Sequence, residues 1–588
     1  MKLKTAIPKE SKASYGTGNC KNMETKTCQN CENKFAIEKE DFNFYEKMQV
    51  PAPTWCPICR MIRRFSFLNV WNLYKRNCDK CEETTLTNHS PDKSRIVYCS
   101  RCWWSDSWDG TEYAQDYDPN RSFFEQIEEL EKKTPWQALE ADYLTLKNSE
   151  YTNAIAHMKN CYMTFWADYC DNVFYSSYLA GLRDSLDCYR MKECELCYES
   201  VGCHKCYRTF FSEECDSYTD TWFSRSCAGL INCFGCINIR NKSYCIFNEQ
   251  FSREDYFEKL KEFNIDAREK LDEIRKNVFE FWNEYPRRFY IGNALNKNVS
   301  GDYIYESKNA KDCYMVSGVE DGKYTQIVSL AKAKDCYDYT GWGNNSERIY
   351  ESAISGEGAS NLKFSYQCWP NAMDIEYSMY ALNGCRDCLG CVNVKKQRYC
   401  ILNKQYNKEE YEKLKAKIIE DMKKNPYKDG LGRIWSYGEF FPINLAPFAY
   451  NETVAYQFFS KTREEALQEG YKWHEQIENK YDITKKARDL PETIEETGKF
   501  ILNEVIECAN CIKAYRFTEG ELNLMRKLNL PLPRQCFNCR QKLRFSRTNL
   551  PIFYNRACMK CNNPIKTSYA PDRPEIIYCE KCYQQEFI

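Results

Sequence analysis

Histidine is nearly absent from this chain, with four in 588 residues against 36 cysteines. The four (His89, His157, His204 and His474) are scattered, and none stands in a Ser/His/Asp-like or HExxH setting. Glycine is scarce at 23, and there is no Gly-rich phosphate loop. No stretch approaches the ~20 apolar residues of a membrane helix. The opening MKLKTAIPKESKASYG has basic residues but no apolar run of signal length. These shortages remove the usual machinery of hydrolases, zinc proteases and nucleotide-dependent enzymes, and they predict a non-catalytic, cytoplasmic chain. In that compartment thiols stay reduced, so abundant cysteine means metal ligands or packed free thiols rather than disulfides.

What is present is a folding composition, with 43% hydrophobic and 15% aromatic residues over a length that implies several domains. The formal net charge of −1 hides a regional bias. Residues 508–588 hold 14 Lys and Arg against 6 Asp and Glu, whereas residues 28–108 hold 12 against 10. The basic end is the C-terminal one.

Sixteen cysteines form eight CxxC doublets in two matched sets. The first set is Cys28/Cys31, Cys56/Cys59, Cys78/Cys81 and Cys99/Cys102; the second is Cys508/Cys511, Cys536/Cys539, Cys558/Cys561 and Cys579/Cys582. A constant offset of 480, without a gap, superimposes all of them, together with Arg60 on Arg540, Arg64 on Arg544 and Tyr74 on Tyr554. This is a duplicated module. Four doublets supply eight thiolates, enough for two tetrahedral zinc ions per module and four in the chain. With every position filled by protein, such zinc is structural and supplies folding energy to a small, loop-rich domain. We expect successive doublets to pair, although the spacing also permits a cross-braced arrangement.

The first half of each module, "CQNCENKFAIEKEDFNFYEKMQVPAPTWCPICRMIRR" and "CANCIKAYRFTEGELNLMRKLNLPLPRQCFNCRQKLR", resembles the bacterial treble-clef "probable zinc-ribbon domain" family. The shared pattern is CxxC, a Phe-containing hairpin, Pro shortly before a second CxxC, then Arg. The resemblance implies that Cys28, Cys31, Cys56 and Cys59, and likewise Cys508, Cys511, Cys536 and Cys539, are ligands. It implies no activity, and it covers about 35 residues at each end. The overall layout also resembles large uncharacterised cysteine-rich zinc-ribbon proteins of small-genome uncultured bacteria.

Between the modules, "CYRMKECELCYESVGCHKCYRTFFSEEC" (188–215) places cysteine first in consecutive nine-residue steps, at Cys188, Cys197, Cys206 and Cys215. The period runs from Cys161, is interrupted by a three-residue slip (SRS), and recurs in a degraded copy in which "RDCLGCVNVKKQRYC" repeats "INCFGCINIRNKSYC" at an offset of 155. A short fixed period with small residues in register predicts a solenoid whose coils stack like on like. Two nonapeptides would make an 18-residue coil with the cysteines buried as compact apolar side chains. Cys194, Cys197, Cys203 and Cys206 form CxxC-x5-CxxC, a lesser candidate for metal. Cys385, Cys388 and Cys391 form CxxCxxC without the fourth ligand that an iron–sulfur motif would need.

The expected fold is multidomain α+β: two treble-clef or zinc-ribbon modules at the termini flank two cysteine-ladder β-solenoid segments with helical caps and linkers. The segments are a tail at 1–27 containing the unpartnered Cys20, a double-zinc module at 28–108, a helical linker at 109–150 and a first solenoid at 151–250. A linker at 251–300, a second solenoid at 301–406, a helix-and-loop linker at 407–507 and a second double-zinc module at 508–588 follow. The expected function is a zinc-binding adaptor that contacts nucleic acid (RNA or DNA) or a nucleoprotein complex through the basic C-terminal module. In treble clefs the second CxxC opens a helix, so Arg540, Lys542, Arg544 and Arg547 should lie on or just beyond it. Arg534, Arg556 and Lys560 would extend the patch, since arginine forks grip phosphate oxygens in pairs. The alternative is a protein–protein interaction scaffold built on the solenoid, and a further one is a thiol redox protein, which would need an exposed low-pKa doublet.

Overall fold

The computed structural model describes residues 23–293, 295–329, 332–475 and 481–587. The readings made for Cys20 and most of the 1–27 tail fall outside these residues. Helices and strands are mixed along the chain, which divides into two compact units that do not follow sequence order. One unit joins Met1–Ala138 to Gly292–Glu475 and Pro551–Phe553; the other joins Leu139–Ile291 to Gln476–Leu550 and Tyr554–Ile588. The N-terminal cysteine module thus belongs with the second cysteine ladder, and the C-terminal module with the first.

In the first ladder the backbone returns to the same place every twelve residues. Strand Tyr207–Phe210 pairs in parallel with Thr219–Trp222, that strand with Ile231–Phe234, and that with Ser243–Ile246, each residue meeting the one twelve ahead. Single bridges such as Leu186↔Tyr198, His204↔Asp216 and Ala228↔Arg240 keep the same step. A residue with positive φ recurs at every third position, as at Arg190, Glu193, Leu196 and Glu199. One left-handed residue at a time makes a sharp corner, so the chain turns once per triplet and four triplets span each twelve-residue step between paired strands.

The triplet also sets which side chains face inward. Every third residue from Ile155 to Cys236 is buried: Ile, Met, Val, Leu and Cys alternate with Ser and Thr, whose hydroxyls reach main-chain groups. All twelve cysteines from Cys161 to Cys245 are buried, and each lies a multiple of three from the next. The expected 18-residue coil is therefore corrected to twelve residues. Nine is three triplets and the SRS slip is one triplet, so both keep cysteine pointing inward and neither marks a coil. The thiols are hydrogen bonded as well as packed: Cys188 Sγ donates towards the carbonyls of Leu186 (3.5 Å) and Cys197 (3.6 Å).

The second ladder follows the same parallel plan with uneven coils. Its steps are twelve residues at Gly301↔Cys313, fourteen at Val319↔Ala333, thirteen at Ala333↔Ser346 and Ser360↔Met373, and twelve again at Arg386↔Arg398. The extra residues break the cysteine phase, which is why the copy reads as degraded.

Both ladders stop in the same way. Asn248 (φ 69°) and Asn403 (φ 65°) turn the last strand into a short antiparallel hairpin. Their carboxamides stand in for a further coil of backbone: Asn248 accepts from the Ile237 amide (2.9 Å) and donates to its carbonyl (3.1 Å), and Asn403 does both with Val392 (2.8 Å each). Ser252 and Asn407 then cap helices Arg253–Glu262 and Lys408–Lys424 by accepting from the amides of Asp255 and Glu410. Covering the final edge in this way removes an open strand template.

A second core lies outside the first ladder. Phe174, Tyr198, Phe210, Phe223 and Phe234 on one outer side pack with Leu271, Ile274, Val278 and Trp282 of helix Arg268–Asn283 and with Leu522, Met525 and Leu528 of helix Glu519–Leu528. In the other unit, the Phe44 ring from helix Lys39–Met48 stacks on Tyr337 of the second ladder with centroids 3.8 Å apart. Each module therefore sits on its ladder through aromatic packing.

The inward stack makes a direct prediction. Cys188, Cys197, Cys206 and Cys215 should resist a thiol reagent in the native chain and react together on unfolding. Cys188→Ala should lower stability by about 1 kcal/mol, read from the denaturant midpoint, whereas Cys188→Lys should prevent folding because it buries an unpaired charge. Rapid native labelling of these four thiols would contradict the inward assignment.

Candidate metal centres

Each module contains two four-sulfur groups built to one plan. A short antiparallel hairpin supplies the first doublet at its turn: Glu24–Thr27 with Lys34–Ile37 around Cys28/Cys31, and Tyr74–Asn77 with Thr84–Thr87 around Cys78/Cys81. The C-terminal hairpins do the same for Cys508/Cys511 and Cys558/Cys561. The residue after the second cysteine is left-handed in all four, Glu32, Glu82, Ile512 and Asn562, and its amide returns to the first cysteine's carbonyl at 2.9–3.1 Å. The turn thereby points both sulfurs to one side.

The second doublet comes from a helix start. Cys56 caps helix Pro57–Phe65 and Cys59 lies in its first turn; Cys536 and Cys539 do the same in helix Phe537–Ser546. Cys99 caps Ser100–Trp104, and Cys579 directly precedes Glu580–Phe587. In every centre the amide of the third cysteine donates to the sulfur of the first at 3.2 Å.

The sulfurs gather as Cys28/Cys31/Cys56/Cys59, Cys78/Cys81/Cys99/Cys102, Cys508/Cys511/Cys536/Cys539 and Cys558/Cys561/Cys579/Cys582, all within 4.8 Å of one another in each set. Successive doublets pair, which selects between the two arrangements the spacing allowed. A tetrahedral ion with Zn–S near 2.3 Å places neighbouring sulfurs ~3.8 Å apart. The observed Sγ separations across the doublets are 3.7 Å for Cys31–Cys56, 3.9 Å for Cys81–Cys99, 3.6 Å for Cys511–Cys536 and 3.7 Å for Cys561–Cys579. The residues therefore fit a tetrahedral divalent ion, with no position left for water or substrate.

The electrostatics ask for a cation. Hydrogen bonds from the Cys31, Cys56 and Cys59 thiols hold Cys28 far below the usual thiol range, while the same crowding pushes Cys56 and Cys59 far above it. Burial works against ionisation of Cys558 and Cys508, yet main-chain amides around each turn bring them down to about 6 and about 7. Four thiolates gathered this closely need a positive charge among them. Outside the sulfurs, Asn30 Nδ2 donates to Cys59 Sγ (3.4 Å) and Asn510 Nδ2 to Cys539 Sγ (3.3 Å), a polar support repeated in both modules.

The ladder cysteines do not assemble this way. Among the described residues the four-sulfur groups are all in the modules. Cys194, Cys197, Cys203 and Cys206 occupy inward positions interrupted by Ser200, with Cys194 Sγ on the Lys192 carbonyl (3.2 Å) and Cys206 Sγ on that of His204 (3.3 Å). Cys385, Cys388 and Cys391 are likewise buried ladder residues.

The arginines expected to grip phosphate lie elsewhere than on a free surface. Arg540, Arg544 and Arg547 do share one side of their helix, but that side faces the first ladder. Arg540 pairs with Asp187 and, at 3.3 Å, with Glu521; its guanidinium lies 4.7 Å above the Tyr175 ring. Arg544 reaches Asp187 (2.6 Å) and the Tyr175 carbonyl (2.9 Å), and Arg547 reaches Glu199 (2.7 Å). Arg540 and Arg544 are buried, Arg534 is turned to Glu492 (2.7 Å), and Arg556 to the Ala570 carbonyl (3.2 Å). Lys542 and Lys560 are exposed, the latter 2.6 Å from Glu586. The basic patch is thus largely converted into contacts within the unit.

The N-terminal module repeats the arrangement on the second ladder. Arg60 binds Asp338 (2.8 Å); Arg63 binds Glu351 and Glu439 (3.1 Å to the latter); Arg64 binds Glu351 (2.7 Å) and the Gln326 carboxamide (3.1 Å). All three guanidiniums and all three carboxylates are buried. These acids were not singled out from the sequence. The signal was there once the coil length is known: Asp187 and Glu199 are twelve apart, Asp338 and Glu351 thirteen, and each occupies a left-handed corner.

A scan against protein-family models and a search of curated proteins each return no match.

Metal content is the check on this geometry. Purified protein should carry four zinc ions by elemental analysis. Cys56→Ser should release one and loosen the N-terminal module alone, since ligand binding and folding share one free energy there. Fewer than two zinc per chain would refute the assignment.

Proposed function

We propose that this chain is a non-catalytic zinc-binding scaffold: two β-solenoid segments, each clamped by a treble-clef-like double-zinc module, whose remaining ladder surface takes protein partners. The observation that carries it is the pairing of closed four-cysteine centres with arginine helices turned onto the ladders. Closed centres suit structural metal, and the arginines serve to hold module to ladder. The nucleic-acid adaptor reading depended on a free basic side of helix Phe537–Ser546, and Arg540, Arg544 and Arg547 there face Asp187, Glu199 and Glu213. A thiol redox role would need an exposed doublet free of metal. Among the described residues, every cysteine that is not buried belongs to a four-sulfur set. No described helix is long and apolar enough to cross a membrane. A reducing, cytoplasmic setting suits the many free thiols.

Fluorescence anisotropy of labelled RNA and DNA oligonucleotides with the zinc-loaded full chain separates the two leading readings. The scaffold reading expects no saturable binding at physiological salt. Binding whose log affinity falls linearly with log salt would favour the adaptor, because backbone contacts release counterions. Recovery of protein partners that persist after nuclease treatment is the positive counterpart.

A further inference from the structure

The first centre of each module shares its second doublet with the helix that carries the buried arginines. Cys56 and Cys59 open helix Pro57–Phe65; Arg60 is the next residue, and Arg63 and Arg64 lie one turn on. Cys536 and Cys539 open helix Phe537–Ser546 in the same way, ahead of Arg540, Arg544 and Arg547. The four sulfurs therefore fix where this helix begins and which way it points. On the ladder, Asp338 and Glu351 are separated by one coil, as are Asp187 and Glu199. Neighbouring strands lie ~4.8 Å apart and a helical turn rises ~5.4 Å. Arginines one turn apart thus meet carboxylates one coil apart, provided the helix start is held in place.

From this juxtaposition we infer that metal binding at the first centre and docking of its arginine helix onto the ladder are one linked equilibrium in each module. Asp338 and Glu351 in one unit, and Asp187 and Glu199 in the other, are positioning residues for a metal they do not touch, and metal loss releases the helix. Separating the partners would strand Arg60, Arg63 and Arg64 and the carboxylates of Asp338, Glu351 and Glu439, which are 0–5% exposed as they stand. An uncompensated buried charge is strongly unfavourable, so the docked state favours the one helix position that the metal also selects. Linkage is reciprocal: whatever metal adds to docking, docking adds to metal affinity. The second centres provide an internal contrast. Helix Ser100–Trp104 carries only Arg101, whose side chain is 66% exposed and pairs with the equally exposed Glu83. Its tie to the ladder is of another kind: Lys395 of the second ladder donates to the Trp103 carbonyl of that helix and lies 4.2 Å above the Trp103 ring, in place of an arginine held by buried carboxylates.

The inference rests on the zinc-scaffold reading, and the test separates the two. Zinc-loaded full chain is titrated with a competing chelator while cysteine alkylation, read by mass spectrometry, reports each centre. Glu351→Gln should let the Cys28/Cys31/Cys56/Cys59 centre release zinc at roughly ten-fold lower chelator, with Cys78/Cys81/Cys99/Cys102 unchanged. Asp187→Asn should do the same to Cys508/Cys511/Cys536/Cys539 alone. Glu347→Gln, on the same ladder but 53% exposed, should change nothing. A second arm needs no variant: in wild-type protein, trypsin should spare Arg60 and Arg540 while zinc is bound and cut there first after chelation. Unchanged chelator midpoints in both variants, or continued protection of these arginines after zinc is removed, would overturn the linkage. A chain that never holds four zinc ions would instead remove the scaffold reading beneath it.

Discussion

A buried guanidinium needs a carboxylate within reach, and this chain buries five across its two modules. Burial, joined by the neighbouring Arg60 and Arg63, lowers the affinity of Arg64 for its proton, and burial, joined by Asp338, raises that of Glu351, each against the pull of its opposite partners. Each acid answers more than one cation: Glu351 is shared by Arg63 and Arg64, and Asp187 by Arg540 and Arg544. Two cations around one acid also demand an accurate approach, because a shift that improves one pair worsens the other. The ladder meets that demand with acids at rigid corners, and the module meets it with a helix whose first turn is tied to four sulfurs. Such ion-pair clusters add specificity of placement more readily than net stability.

The triplet corner explains why so irregular a sequence builds so regular a wall. One residue in three turns the chain, one lies in the strand and one faces in. The inward position is taken by buried apolar or small hydroxyl-bearing residues, with Cys, Ser and Thr recurring most often in the first ladder, while the other two vary widely. Cysteine and serine answer two needs at once: each is small enough for a narrow interior, and each can reach a carbonyl or amide of the neighbouring coil. Ser200 Oγ, for example, donates to the Thr209 carbonyl (3.2 Å) and accepts from the Ser212 amide (3.4 Å). The outer sides are then free to carry either aromatic docking surface or charge.

The metal centres were legible in the sequence because their ligands are local doublets whose spacing is the chemistry. The pairing of doublets was open there, and geometry closed it. The ladder was legible as a repeat but misread in length, since a period of nine is a multiple of three and cysteines at 188, 197, 206 and 215 cannot distinguish a coil of twelve from one of eighteen. Strand register resolves this, and register is a tertiary fact. The arginines were legible as a helical face. What that face meets was hidden, because Arg60 and Asp338 are separated by 278 residues, and Arg544 and Asp187 by 357. A basic helix beside a zinc knuckle looks the same in sequence whether phosphate or an acidic corner answers it.

The same separation bears on how the duplicated parts came to fit. The modules match at an offset of 480 and the ladders at 155, yet each compact unit takes one module and the ladder from the far half of the sequence. The contacts that define the match are conserved in kind rather than in residue. Asp187/Glu199 answer Arg540, Arg544 and Arg547, while Asp338/Glu351 answer Arg60, Arg63 and Arg64 with added help from Glu439. The N-terminal helix places Arg63 where the C-terminal helix has Leu543, and the C-terminal chain places Arg547 where the N-terminal has Phe67; Glu439 answers the first, and Glu199 with Glu213 the second. Charge was thus rebalanced locally in each unit. That is the expected behaviour of a contact in which no buried cation can be left without an acid, whether its own or a shared one.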